Sequence, residues 1–176
     1  YARLLNETFG SKLKPVEGYE GSTAGMLAVE RAEVDGHISG GMTAPVKSRI
    51  ASWMKAGQAQ VIVQFGLRQD PDYPQAPAAL DLVTDPHARR LLETAFTEQE
   101  VGAPYVLGPK VPKAQVEIIE RAFAAMIKDQ AFLDDAKRED AAVSPMNARE
   151  AEAVVARTFH VPPDIVAELR RIARGQ

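Results

Sequence analysis

The sequence predicts an α/β domain with a parallel-rich sheet, and three observations point there. Residues 11–67 read as β-α-β-α-β, the pattern of a doubly wound fold. The run AQVIVQFGL, 59–67, carries the β-branched and aromatic residues of a strand buried on both faces. Two glycine-rich turns, GYEGST at 18–23 and SGGMT at 39–43, stand where a strand hands over to a helix.

The elements follow in order. YARLLNETFG places Leu4, Leu5 and Phe9 at helical spacing ahead of Gly10, so the chain opens on what reads as the tail of a helix, and on Tyr rather than Met. That opening is read as a processed product or fragment. KLKPVEGY reads as a strand, and Ser22 or Thr23 caps a helix of about ten residues running to Arg31 and Ala32. EVDGHISGG reads as a short strand. Thr43 caps a helix bearing Val46, Ile50, Trp53 and Met54 on one face, and Gly57 stops it. After the 59–67 strand comes a proline-punctuated loop, then helices at about 78–83 and 86–98. APYVLGPKVP reads as a strand and turn, and AAVSP as a short strand. The remaining patterns are helical: Val116, Ile119, Phe123 and Met126 share a face, with an extension or turn around Phe132 and Leu133. Asn147 with Glu150 resembles a capping box, and Pro162 and Pro163 precede Ile165, Leu169 and Ile172. These late helices present apolar faces that require a partner, either a second copy or residues 1–102.

Composition narrows the function. At 176 residues the chain can bury a substantial core, and its net charge of −3 offers no basic field to nucleic acid. Without cysteine there is no disulfide, thiolate metal site or cysteine nucleophile. Three scattered histidines give a metal site little basis, and no cofactor motif is present. His37 reads as a packed strand residue, His87 and His160 as surface residues, and Trp53 as core. Arg89, Arg90 and the stretch FLDDAKRED read as solvated helix faces. No Gly-x-Ser-x-Gly, Walker loop or paired-carboxylate spacing occurs, so no enzyme is expected.

The succession FGSKLKPVEGYEGSTAGMLAVERAEVDG, AQVIVQFGLRQDPDYPQAPAALDL and GPKVPKAQVEIIERAFAAMIKDQAFLDDAKREDAAVSPMNAREAEAVVARTFHVPPDIV resembles the C-terminal part of the tripartite tricarboxylate transporter receptors, the TctC or Bug family of extracytoplasmic solute-binding proteins. The resemblance covers nearly the whole chain, in order. It implies a type II periplasmic-binding-protein fold, with residues 1–102 as the second ligand-binding lobe. Residues 103–176 would be a crossover strand and C-terminal helices that normally pack on a first lobe largely missing here. It also implies a periplasmic location, a small di- or tricarboxylate or related acid as ligand, and membrane transporter subunits as partners. Self-association through the exposed C-terminal helices is a further expectation.

Carried over residue by residue, the ligand-binding set falls on Tyr19, Gly21, Ser22 and Thr23, and on Ser39, Gly40, Gly41, Met42 and Thr43. Strand-to-helix turns suit this role because a helix N-terminus offers unpaired N–H groups and partial positive charge. The plainer alternative makes Ser22 and Thr43 ordinary N-caps and the glycines ordinary turn residues. Glu20 stands where the family commonly has a basic or neutral residue, and it is expected to face solvent. Competing functions are the effector-binding domain of a transcription regulator and an α/β enzyme acting on a carboxylate.

Overall fold

The computed structural model describes residues 1–39, 43–102, 104–139, 141 and 143–175. It overturns the α/β expectation: 57% of the chain is helical, 1% is strand, and no sheet forms among the described residues. The one trace of strand pairing is a parallel bridge between Gln64 and Ala78. The type II periplasmic-binding-protein lobe with its parallel-rich sheet is therefore corrected to a helical arrangement.

The chain forms two compact units, Tyr1–Thr97 with Val161–Gln176, and Glu98–His160. In the first, α1 (Ala2–Phe9) ends at Gly10, whose φ of 64° is left-handed backbone suited to glycine. α2 is Gly21–Glu30, α3 Ala44–Lys55, α4 Ala79–Leu82 and α5 Pro86–Thr97. The final helix of the chain, Pro163–Arg174, returns to this unit and packs on α1 and α5. The core explains the geometry. Leu91, Leu92 and Phe96 of α5 meet Leu4 of α1 and Ile165 and Ile172 of the final helix, all nearly or fully buried. Tyr1 stacks on Phe65 at 5.3 Å between ring centroids, and Phe65 meets Phe96 edge-on at 6.0 Å. One of the two faces expected to require a partner, that of Ile165 and Ile172, thus finds it within residues 1–102.

A physical reason for the missing sheet lies in this core. Parallel strands gain stability when their faces are covered by crossover helices. Here α5 buries its apolar stripe against other helices, and Val63, Phe65 and Leu67 lie on that helical core as partly buried side chains. The segments predicted as strands at 12–19, 33–39, 104–107 and 143–145 carry no strand either. Leu13, Val16, Tyr105 and Val106 are exposed in them.

The second unit holds a 3-10 turn at Glu98–Glu100, then α6 (Lys113–Met126), α7 (Gln130–Arg138) and α8 (Ala148–Phe159). Numbering continues with α9 for Pro163–Arg174 in the first unit. α7 is a separate helix where an extension or turn was expected, and Asp129 starts it by accepting the Phe132 N–H at 3.0 Å. α8 opens on the capping box read from Asn147 and Glu150, both of whose bonds form, at 3.0 and 2.9 Å. The apolar face of α6 stays open: no residue of the helix is buried, and Ile119 is 48% exposed. Among the described residues of this unit, Val154 is the buried hydrophobic residue.

Candidate functional site

The first candidate turn surrounds the N-terminus of α2. Gly21 begins the helix with φ of 75°, a conformation that disfavours any residue with a Cβ, and its N–H closes on the Tyr19 carbonyl at 3.0 Å. Glu20, not Ser22 or Thr23, occupies the N-cap position, and its side chain makes no capping bond. The helix therefore starts earlier than its Ser and Thr suggest. Ser22 and Thr23 lie inside the first turn, where no acidic residue neutralises the exposed N–H groups. Glu20 is solvent-exposed. Tyr19 is 38% exposed, and its hydroxyl stands 3.5 Å from a Glu33 carboxylate oxygen.

The second candidate turn is described only at its ends. Ser39 is half-buried, whereas Gly40, Gly41 and Met42 lie outside the described residues. Thr43 is the N-cap of α3, with extended backbone, yet its hydroxyl makes no capping bond. At neither helix, then, does Ser22 or Thr43 act as the side-chain cap of the plainer reading. Glu30 at the end of α2 accepts from Trp53 Nε1 at 3.1 Å and pairs with Arg49 at 3.4 Å. That clasp uses the later part of α3, so each candidate turn sits at the end of its helix remote from it. Trp53, expected in the core, is half-buried and spends its N–H there.

Behind the first turn lies His37. Its Nδ1 would stand 2.7 Å from a Cβ at position 25, so glycine there lets the imidazole press onto α2. Burial lowers the His37 pKa from 6.5. Its Nε2 is buried without a hydrogen-bond partner among the described residues. A histidine seated on a helix glycine, rather than within a strand, is the corrected placement.

Two further clusters escaped the sequence reading. Gln64 is buried and fully engaged: Nε2 donates to the carbonyls of Tyr73 at 2.7 Å and Ala76 at 3.0 Å, and Oε1 accepts the Asp70 N–H at 2.6 Å. One amide thereby organises the loop 69–77. Lys47 of α3 reaches the same loop, binding Asp72 at 2.5 Å and Asp70 at 3.4 Å. The Asp72 hydrogen bond, chiefly, raises the Lys47 pKa above 10.5 against the opposing effect of burial. Burial likewise raises that of Tyr73 above 10.0. No local signal distinguishes Gln64 from a surface glutamine except its place in an otherwise apolar run. Both clusters are internally satisfied, and they hold a loop rather than present reactive groups.

Elsewhere the chemistry is spare. In the second unit Leu107, Val111, Gln115, Ile118 and Ile119 line an open apolar groove of about 350 Å³, without a charged group for an acid to meet. His87 pairs with Glu168 at 2.8 Å on the surface, and His160 bonds the Ala156 carbonyl at the end of α8. Arg89 bonds the Leu80 carbonyl at 2.9 Å as well as Glu93, so it holds α4 against α5 rather than being merely solvated. Among the described residues no cluster of His, Cys, Asp or Glu could hold a metal ion, and no helix is long and apolar enough to cross a membrane. Comparison with known proteins finds no matching family model, curated protein or solved structure.

Proposed function

We propose that the chain serves an extracytoplasmic solute-binding receptor, capturing a small organic carboxylate for a tripartite tricarboxylate-type membrane transporter without converting it. The observation that carries this reading is the co-linear succession of motifs from GYEGST through AQVIVQFGL to VSPMNAREAEAVVARTFHVPPDIV. The local geometry of α2 supports it. A first turn without an acidic residue or a side-chain cap leaves N–H donors and the positive end of the helix dipole for an anion.

On this reading the acid's oxygens accept from the N–H groups of Ser22 and Thr23, with the Ser22 and Thr23 hydroxyls as further donors. Gly21 permits the tight approach of main chain to ligand. Tyr19 flanks the turn, and the stretch Ser39, Gly40, Gly41, Met42 and Thr43 supplies donors at the start of α3. No nucleophile or general base is required, because the task is capture and release. The location that goes with this task is the periplasm.

Native mass spectrometry of the chain against citrate, malate, benzoate and glutamate tests the proposal. Selective one-to-one retention of one acid, lost in Gly21→Val, is the expected result. Failure to retain any of the four, or conversion of a bound acid, would overturn it.

A further inference from the structure

We draw no further inference here: the strongest candidate, the open apolar groove of the second unit lined by Leu107 and Val111 and by Gln115, Ile118 and Ile119 of α6, carries nothing because no feature of the structure shows what covers it.

Discussion

Position 25 shows how narrowly a residue can be set by its neighbour. A methyl group there would stand 2.7 and 2.8 Å from the His37 ring, closer than packed atoms tolerate, so the ring or the helix must move. Gly25→Ala should cost about 1–3 kcal/mol in denaturant unfolding, the range for overpacking, even though alanine favours helix. Combining it with His37→Ala should recover most of that loss, since the two sites share one clash. Additive losses would place the strain elsewhere. His37 also gives stability a pH dependence of definite sign. Burial lowers its folded pKa below 6.5, so the unfolded chain takes up the proton first as acid is added. Its contribution is present above pH 6.5 and is lost as pH falls through the lowered folded value; His37→Gln should flatten that part of the profile. Lys47 works at the other extreme. Its pKa is raised above 10.5, chiefly by Asp72, so the pair's contribution is intact below pH 10.5 and disappears as pH rises past the raised value. Asp72 is 59% exposed at its side chain, and screening holds the worth of the contact to about 1 kcal/mol or less.

At the scale of elements, helices were legible and strands were not. The capping box of α8, the prolines ahead of α9 and the glycine closing α1 are local signals, and local hydrogen bonds satisfy them wherever the rest of the chain goes. AQVIVQFGL shows the contrary case. Its β-branched run reads as a strand buried on both faces, but Ile62 is 74% exposed, and a ladder depends on a remote partner, which among the described residues Ala78 supplies at a single residue. The start of α2 was misplaced because Ser22 and Thr23 are strong capping residues, whereas Gly21 enters the helix ahead of them. The candidate turn was therefore legible as a helix start, but its lack of a side-chain cap was not. Gln64 was illegible because its partners are carbonyls of Tyr73 and Ala76, which no sequence pattern marks. Its role predicts that Gln64→Leu, although apolar and near in size, destabilises by about 2–5 kcal/mol by leaving those groups and the Asp70 N–H unsatisfied. Thermal unfolding would check this, and a loss no larger than that from Gln60→Leu on the exposed side would contradict it.

The first unit as a whole depends on a core to which both the opening and closing helices contribute. Leu4 from α1, Phe96 from α5 and Ile165 from α9 converge, and Arg171 on α9 reaches Glu7 on α1 at 2.6 Å. Ile165 is fully buried, so Ile165→Ala should cost about 2–5 kcal/mol and loosen the α1, α5 and α9 helices together, seen as joint loss of amide protection in all three. The same unit contains α2 with its uncapped start, and the functional proposal turns on what that start binds. The most direct measurement is a titration of ¹⁵N-labelled chain with citrate, malate, benzoate and glutamate, followed by amide NMR. The account predicts saturable one-to-one shifts centred on the Ser22 and Thr23 amides for one of these acids, abolished in Gly21→Val. Saturable shifts confined to other residues, or none at those amides with any of the acids, would contradict it.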